Sequence, residues 1–254
     1  MIRAHWRRAR RLVGIALHVM IGAILARVLM PAGSRTDSER AQRAVQWWNR
    51  RLCRLLGLRV RVHGKIGAVP ALIAANHVSW LDVVALGAVC PGHFVAKQEM
   101  RGWPLLGWLS ERAGTLFIQR GDGASTARLV EQMTWRLVRG KNVVLFPEGT
   151  TGTGLTVQRF HSRLFQAAVN ARCTVQAVAV RYPHPGGVHP LAPFVGDDDL
   201  PRHLWRLAQA PALEVELTFF PPYAVTDAPR RRLAEHARAQ IAGRVENRPL
   251  RESA

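Results

Sequence analysis

The 254-residue sequence predicts an α/β fold, in which helices cover a mixed, largely parallel sheet and a pair of N-terminal helices precedes the domain. Three observations support this prediction. Short apolar runs rich in β-forming residues alternate with helical stretches after residue 57, as in βαβ units. Apolar residues make up 48% of the chain and charged residues 21%, values typical of a folded protein. The first 57 residues differ from the rest in charge and hydrophobicity. We therefore divide the chain into an N-terminal helical segment (1–57) and an α/β domain (58–248).

The first helix is predicted by an apolar run at residues 12–26, LVGIALHVMIGAILA, which is interrupted only by His18. Its 15 residues reach about 22 Å as a helix, which is less than the roughly 30 Å of a hydrocarbon core. Extension to Met30 nearly closes the difference but includes Arg27. We expect the segment either to span a bilayer or to enter one leaflet. A signal peptide cleaved near residues 32–34 is the competing interpretation.

Positive charge is concentrated in the same segment. Lys and Arg total 36 against 17 Asp and Glu, which gives a formal net charge of +19, and residues 1–60 contain 13 arginines and two acids. Such a segment attracts the phosphates of anionic lipid or of nucleic acid. The adjacent apolar run favours an anionic membrane surface. No helix-turn-helix or RNA-binding signature supports nucleic acid, so we expect no nucleic-acid partner.

A second helix is predicted at residues 38–56 and ends at Gly57. Its apolar residues recur at steps of three, four and three and form one stripe: Val45, Trp48, Leu52 and Leu55. Trp47 and Trp48 lie among arginines, which is typical of a lipid interface. The alternative is that this helix packs on its own domain and exposes its basic face to water.

The α/β domain is expected to contain seven strands and six helices. The predicted strands are 59–63, 71–75, 93–96, 115–118, 142–146, 174–180 and 213–219. The predicted helices are 80–90, 104–112, 124–139, 160–171, 201–209 and 229–243. The three cysteines, Cys53, Cys90 and Cys173, lie far apart, which excludes a disulfide-dense scaffold and a local Cys-x-x-Cys metal motif.

A polar cluster, Asn76-His77-Val78-Ser79-Trp80-Leu81-Asp82, follows one predicted strand and precedes a predicted helix. If His77 lies in the loop and Asp82 in the first helical turn, the carboxylate can hold one imidazole nitrogen and leave the other free. A histidine pKa of about 6.5 suits a general base near neutral pH. Because Ser79 and Asp82 have the spacing of a capping box, the alternative is that Asp82 only caps the helix.

Two further motifs each contain a predicted strand and the residues that follow it. Residues 114–120, GTLFIQR, are a strand that ends in Arg120, whose guanidinium can bind a phosphate or a carboxylate. Residues 143–150, VVLFPEGT, are a buried strand that breaks before Glu148 and Gly149. Ligands of α/β proteins commonly bind at the carboxyl ends of strands, so these residues are candidates for a site.

In order and spacing, the three motifs resemble those of the glycerolipid acyltransferase superfamily, whose best-known members are 1-acyl-sn-glycerol-3-phosphate acyltransferases. Asn76–Asp82 resembles the Asn-His-x4-Asp motif, Gly114–Arg120 the Gly-x-x-Phe-Ile-x-Arg motif, and Phe146–Thr150 the Phe-Pro-Glu-Gly-Thr motif. Val175–Val180 resembles a fourth block, with Ala177 in place of the usual proline. The resemblance covers roughly residues 55–220.

This resemblance implies acyl transfer from a thioester, acyl-CoA or acyl carrier protein, to the free hydroxyl of a lysolipid. His77 would be the general base and Asp82 would orient it and balance its charge. Arg120 would bind the headgroup phosphate, and Lys97 would contact that phosphate or the oxyanion. The substrate-binding residues implied are Lys97, Arg120, Glu148, Gly149 and Thr150. Neither a metal ion nor an organic cofactor is implied.

The acceptor that we expect is 1-acyl-sn-glycerol-3-phosphate, which would give phosphatidic acid. Many members that make phosphatidic acid continue Phe-Pro-Glu-Gly-Thr with arginine, where this chain has Thr151. Lyso-ornithine-lipid acyltransferases resemble the chain in that variation, and their acceptor lacks a phosphate, so lyso-ornithine lipid is the alternative acceptor. A non-catalytic membrane-binding protein is the alternative of a different class. The intact His77, Asp82 and Glu148 argue against it.

A lysolipid acceptor stays in the bilayer, so the resemblance implies an N-terminal helical pair that docks on the membrane. Residues 12–30 and 38–56 match that layout. The expected location is the cell membrane, with the active site on the cytoplasmic side. Trp103–Leu109 is a further apolar stretch, for which contact with lipid, an acyl channel and a buried loop and helix remain open. His161 is expected on the surface at the start of a helix.

Overall fold

The computed structural model describes residues 2–29, 38–67, 70–225 and 228–246. The cleavage-like residues 32–34 and the end of the α/β domain after residue 246 lie outside this part of the chain. The described helices are α1 Ile2–Leu29, α2 Glu39–Leu56, α3 Trp80–Val89, α4 Leu106–Arg112, α5 Gly123–Val138, α6 Gln166–Ala171, α7 Leu200–Gln209 and α8 Arg230–Glu246. The described strands are β1 Leu58–Gly64, β2 Ala71–Ala75, β3 His93–Lys97, β4 Leu116–Ile118, β5 Val143–Leu145, β6 Thr174–Arg181, β7 Pro183–His184, β8 Gly187–Val188, β9 Leu213–Phe219 and β10 Tyr223–Ala224.

The main sheet has the strand order β1-β9-β6-β2-β5-β3-β4, with the short β10 paired to β6. The five strands from β6 to β4 are parallel to one another, whereas β9 is antiparallel to β6 and β1 is parallel to β9. The prediction of a mixed, largely parallel sheet is therefore confirmed. Because these five strands run in the same direction, their carboxyl ends meet along one edge of the sheet.

Helices cover both faces of the sheet, and the alternation of side chains along the central strand β2 divides the core into two layers. Ile73 belongs to the layer that contains residues of α2, α3 and α7. Leu72 belongs to the layer that contains residues of α5, α6 and α8. All residues of β2 and β5 are buried, as expected for strands of a covered parallel sheet. Since α2 contributes Leu52 and Leu56 to the first layer, the domain division at residue 57 stays a prediction.

Most predicted elements occur within one or two residues of the expected bounds. The predicted helix at 160–171 is instead a 3-10 turn, Ser162–Phe165, followed by α6. Strands β7, β8 and β10 contain two residues each, which is too short to produce a periodic pattern in the sequence.

The N-terminal helices α1 and α2 pack closely through small residues. A Cβ at Gly22 would lie 2.5 Å from Trp48 Nε1, and a Cβ at Gly14 would lie 2.9 Å from Leu55 Cδ2. Between the two glycines, the buried His18 places Nε2 2.9 Å from the carbonyl oxygen of Trp48. The side of α1 that carries these residues is therefore held against α2.

The opposite side of α1 is an exposed apolar stripe, hereafter the α1 stripe. Its residues are between 55% and 68% exposed and recur at steps of four, three, four and four: Val13, Leu17, Met20, Ile24 and Val28. The stretch His5–Leu29 is long and apolar enough to cross a membrane. A stripe of this kind on one helical face is typical of a lipid-contacting helix.

The N-terminal part of α1 is fastened to the end of α7. Arg7 Nε donates to the carbonyl of Gln209 at 3.0 Å. Arg11 donates to the carbonyls of Leu207 at 3.1 Å and Ala210 at 2.8 Å. Cations are favoured at this position, because the last carbonyls of a helix lack partners and carry partial negative charge.

Candidate active site

The candidate site lies where the parallel strands end. Asn76 and His77 follow β2, and Glu148 follows β5, the strand next to β2 in the sheet. Lys97 ends β3, and Arg120 lies two residues after β4. The sheet therefore places the three sequence motifs along one edge. Asn76 fixes the end of β2, because its side chain donates to the carbonyl of Val180 at 2.9 Å and accepts from the Val180 N–H at 2.7 Å.

His77 and Asp82 form the central hydrogen-bonded pair. His77 lies in the loop after β2, Asp82 lies in the first turn of α3, and His77 Nδ1 is 2.8 Å from Asp82 Oδ2. A carboxylate only accepts hydrogen bonds, so Nδ1 carries the proton and Nε2 presents its lone pair. The His77 side chain is 18% exposed, which leaves Nε2 within reach of a bound substrate.

Asp82 also caps α3, so the same carboxylate holds the imidazole and caps the helix, while its catalytic role stays a prediction. Its Oδ2 accepts from the N–H groups of Val78 at 2.7 Å and Ser79 at 2.9 Å, besides His77. Its Oδ1 accepts from the hydroxyl of Tyr182 at 2.6 Å. Four donors thus hold a fully buried carboxylate. His77 is therefore hydrogen-bonded to a carboxylate whose orientation is fixed.

Tyr182 is a site residue that the sequence did not reveal. It lies just after β6, and its side chain is fully buried. Burial, followed by the effect of the Asp82 carboxylate, raises the pKa of Tyr182 well above its ordinary value. The hydroxyl therefore stays protonated and remains a donor. Its position beyond the fourth motif block is the only signal that could have indicated it.

Phe146 and Glu148 support His77 from the adjacent loop. The Phe146 ring stacks on the imidazole with centroids 4.0 Å apart and an angle of 13° between the planes. Glu148 Oε1 accepts from the backbone N–H of His77 at 2.7 Å, and Oε2 accepts from the N–H of Gln158 at 2.9 Å. Burial raises the pKa of Glu148, and these two hydrogen bonds act in the opposite direction. Direct contact between Glu148 and the substrate stays a prediction.

Gly149 lies in the left-handed region, with φ of +76°. A Cβ at this position would lie 3.4 Å from the ring of His161 and 3.9 Å from the Arg120 guanidinium. Gly149 therefore lies beside both the His161 ring and the Arg120 guanidinium. His161 precedes a 3-10 turn and is exposed, as expected, but it lies beside the site, which its sequence position did not indicate.

Lys97 and Arg120 form a basic pair at the same edge. Burial and the neighbouring Arg120 lower the pKa of Lys97, while Glu99 acts in the opposite direction. Burial also lowers the pKa of Arg120, again with an opposing effect from Glu99. The edge therefore carries two cations and one acid within electrostatic reach of one another.

The residues after Glu148 take different positions. Thr150 is exposed. The Thr151 hydroxyl donates to the carbonyl of Phe194, and the Gly152 N–H donates to the carbonyl of His77 at 2.8 Å. Thr151 is thus engaged with the protein chain. Among the residues that the structure describes, no group of three or more His, Cys, Asp or Glu side chains could hold a metal ion.

An apolar cavity of about 160 Å³ lies between the N-terminal helices and the domain. Its lining includes Trp48 of α2, Phe94 of β3, and Leu106 and Leu109 of α4. Within the stretch 103–109, Trp103 and Leu105 are exposed. This stretch thus contributes both to a cavity and to the surface.

Comparisons with known proteins agree on the class of the chain. Residues 59–181 match the family model described as Acyltransferase. A lyso-ornithine lipid O-acyltransferase from Pseudomonas aeruginosa is 42% identical over 237 residues, which cover 92% of this chain and 90% of that protein. A 1-acyl-sn-glycerol-3-phosphate acyltransferase from Neisseria gonorrhoeae is 42% identical over 148 residues, 58% of each chain. The crystal structure of the 1-acyl-sn-glycerophosphate (LPA) acyltransferase PlsC from Thermotoga maritima has the same fold, with a TM-score of 0.69 at 20% identity over 96% of this chain and 95% of that one.

Proposed function

The chain belongs to the glycerolipid acyltransferase superfamily as an acyltransferase of lysolipids, and from that premise we propose that His77 is the general base of the transfer. The observation that carries the proposal is the 2.8 Å hydrogen bond between His77 Nδ1 and Asp82. It sets the tautomer in which Nε2 is the basic nitrogen.

In the proposed reaction, Nε2 takes the proton of the lysolipid hydroxyl as its oxygen attacks the thioester carbonyl carbon. The tetrahedral intermediate then collapses, the carbon–sulfur bond breaks, and the thiolate leaves with the proton from His77. The lipid oxygen is itself the nucleophile, so no covalent enzyme intermediate is needed. Asp82 stabilises the imidazolium that forms between the two proton transfers. Phe146 keeps the ring in place.

For the acceptor, lyso-ornithine lipid is the first candidate, which reverses the order expected from the motifs. The relative with that activity matches this chain over almost its full length, whereas the gonococcal relative matches 58%. The ornithine headgroup carries one carboxylate and one ammonium. Arg120 suits the carboxylate and Glu99 suits the ammonium, and Thr151 offers no charge.

Lysophosphatidic acid is the second candidate acceptor. The basic pair Lys97 and Arg120 favours it, because two cations near one another match a phosphate monoester better than a single carboxylate. Gly149 and His161 border the same place. The donor is acyl-CoA or acyl carrier protein, and the apolar cavity beside Leu106 and Leu109 suits part of an acyl chain.

The protein is proposed to act from the surface of the cell membrane, on the cytoplasmic side. The α1 stripe would enter one leaflet, because α1 contacts α7, α2 and α4 along its length. A helix held in this way lies against the domain and cannot cross the bilayer away from it. An anionic membrane would add attraction to the basic residues of α2.

The test is a thiol-release assay with detergent-solubilised protein and palmitoyl-CoA. Lyso-ornithine lipid and lysophosphatidic acid are supplied separately, His77→Ala is the inactive variant, and His184→Ala in the exposed β7–β8 turn is the matched control. We expect release with lyso-ornithine lipid, abolished by His77→Ala alone. Release only with lysophosphatidic acid would reverse the acceptor assignment. A folded His77→Ala protein with full activity would disprove the base.

A further inference from the structure

Residues 151–160, hereafter the 151–160 loop, follow the third motif and contain neither a helix nor a strand. This loop is connected to both backbone polar groups of His77. The Gly152 N–H donates to the His77 carbonyl at 2.8 Å. Glu148 accepts from the His77 N–H through Oε1 and from the Gln158 N–H through Oε2. The main chain of His77 is therefore held from two sides by contacts that depend on the 151–160 loop.

The loop also lies directly against the residue that follows His77. Gly154 has φ of +76°, and a Cβ at this position would lie 3.2 Å from both methyl groups of Val78. A shift of the loop toward His77 is therefore blocked at Gly154. A shift away from His77 would stretch the hydrogen bonds at Gly152 and Glu148.

Helix α8 holds the far end of the 151–160 loop. Arg238 Nε donates to the carbonyl of Gln158 at 3.0 Å, and Arg238 Nη2 donates to the carbonyl of Val157 at 2.6 Å. The Val157 N–H donates to Glu246 Oε1 at 2.9 Å. Backbone groups outside helices and strands need partners of this kind, and charged partners give the stronger hydrogen bonds. Two charged side chains of α8 thus hold consecutive peptide groups of the loop.

Apolar packing alone would not fix the orientation of these peptide groups. Val157 and Phe160 are buried in the same core layer as Leu233, Ala237 and Ile241 of α8. The hydrophobic effect keeps such residues together but has no directional preference. The direction of each N–H in the loop therefore depends on the hydrogen bonds from α8.

One peptide group connects Arg238 to the active site. The Val157 carbonyl, which Arg238 binds, and the Gln158 N–H, which Glu148 binds, belong to the same peptide unit. A trans peptide is planar, with its oxygen and its N–H on opposite sides. Holding the oxygen therefore directs the N–H at Glu148. The guanidinium also polarises the peptide, which makes the N–H a better donor.

We propose that Arg238 is a positioning residue, which orients Glu148 and, through it, the backbone of His77. The inference rests on the proposed role of His77 as general base and adds a contact from α8. This helix lies beyond residues 59–181, which match the family model. Arg238 would thus contribute to catalysis without touching the substrate.

The test uses the full-length protein in detergent, with palmitoyl-CoA and the acceptor that the wild type acylates. Arg238→Ala and Arg238→Lys are compared with Arg244→Ala. Arg244 is the matched control because it is also on α8 but contacts β9, with Nη2 3.5 Å from Glu216 and Nε 3.5 Å from the Thr218 hydroxyl. Amide hydrogen exchange, followed by mass spectrometry of the peptides that contain His77, measures positioning without turnover.

We expect Arg238→Ala to lower kcat about tenfold and to change the acceptor KM less than about twofold, since one hydrogen bond from a charged donor is lost at a group that does not bind substrate. Arg238→Lys should recover part of kcat, because its ammonium can still donate to a loop carbonyl. Exchange in the His77 peptides should become faster in Arg238→Ala. Arg244→Ala should change neither kcat nor this exchange.

A double-mutant cycle with Glu148→Gln separates positioning from general stability. A glutamine has one oxygen for the two N–H groups, so the connection from Arg238 to His77 is already broken in that variant. Adding Arg238→Ala to it should therefore cost little further kcat. Independent, multiplying losses would overturn the proposal, as would equal kcat losses in Arg238→Ala and Arg244→Ala or unchanged exchange at His77. If Arg238→Ala speeds exchange at His77 but the wild type transfers no acyl group, the positioning contact stands and the proposed reaction fails.

Discussion

The hydroxyl of Tyr182 donates to Asp82 Oδ1 at 2.6 Å, although 100 residues separate the two in sequence. This hydrogen bond joins the end of β6 to the first turn of α3. It occupies the carboxylate oxygen that does not face His77. The carboxylate orientation, and through it the imidazole orientation, therefore depends on a residue outside the three motifs.

Replacing Tyr182→Phe should lower kcat about tenfold with little change in KM, because Asp82 loses the donor that fixes its rotation while the ring still fills its space. The loss of one buried hydrogen bond should also lower the free energy of unfolding by about 1–3 kcal/mol. Tyr223→Phe is the control, since its hydroxyl donates to the carbonyl of Leu233 at 2.8 Å away from the site. It should reduce stability and leave kcat unchanged. Equal kcat losses in both variants would contradict a positioning role for Tyr182.

Replacing Asp82→Asn should reduce kcat about 10³–10⁴-fold, by analogy with the same change in catalytic triads. An asparagine side chain can donate to His77 Nδ1 and so favour the tautomer with the proton on Nε2. Steady-state kinetics with the preferred acceptor measure the effect. The control is Asp198→Asn, because Asp198 pairs with Arg206 at 2.6 Å on an exposed part of the surface. Activity above one-tenth of wild type in Asp82→Asn would show that Asp82 mainly caps α3.

Glu148→Gln should weaken both activity and stability, since the side chain would have one oxygen for the two N–H groups from which the carboxylate now accepts hydrogen bonds.

The stability difference between wild type and Glu148→Gln should depend on pH with a definite sign. Burial raises the pKa of Glu148, so between its unfolded and folded pKa values the folded state binds more protons than the unfolded state. Protonation of Glu148 therefore stabilises the fold fully at pH values below the pKa that Glu148 has in the unfolded state. This stabilisation is lost as the pH rises through the pKa that Glu148 has in the folded state. Thermal unfolding in detergent from pH 4 to pH 8 should therefore show the advantage of wild type over Glu148→Gln declining with pH. A growing advantage would be inconsistent with the raised pKa.

Met20→Glu combined with Ile24→Glu should release the protein from membranes under high salt, whereas wild type should require detergent. Both residues belong to the α1 stripe, and a charged side chain there opposes burial in the acyl region. Flotation with liposomes containing anionic lipid gives the bound fraction. Val138→Glu is the control, because Val138 on α5 is 67% exposed but lies away from α1. Retention of the double variant in salt would place the membrane contact elsewhere.

The elements and the motif positions could be predicted from sequence, because each depends on local patterns. Apolar runs such as Val143–Leu145 indicate buried strands, and parallel strands then place Asn76, Glu148 and Arg120 along one edge. The Asp82 capping interaction and its contact with His77 could both be predicted, but the choice between them could not, because one carboxylate serves both. Tyr182 was not found, since its position just beyond the fourth motif block is a weak signal and nothing in the sequence pairs it with Asp82.

The basic N-terminus shows a different limit of sequence reasoning. The charge of residues 1–60 predicts attraction to an anionic membrane, but two of its arginines, Arg7 and Arg11, donate to carbonyls at the end of α7. Charge counting cannot distinguish a cation that faces lipid from one that neutralises a helix end. The distinction depends on which helix lies beside it in the folded protein.

The contact between α1 and α7 can form only late in synthesis, because its partners are far apart in the sequence. The partners are 196 to 202 residues apart, so at about 5–20 residues per second α1 leaves the ribosome about 10–40 s before α7 is synthesised. During that interval Arg7 and Arg11 lack their carbonyl partners at the end of α7, while the α1 stripe is already exposed. A lipid surface that receives the α1 stripe, as proposed above, would therefore contact the chain before the α/β domain is complete.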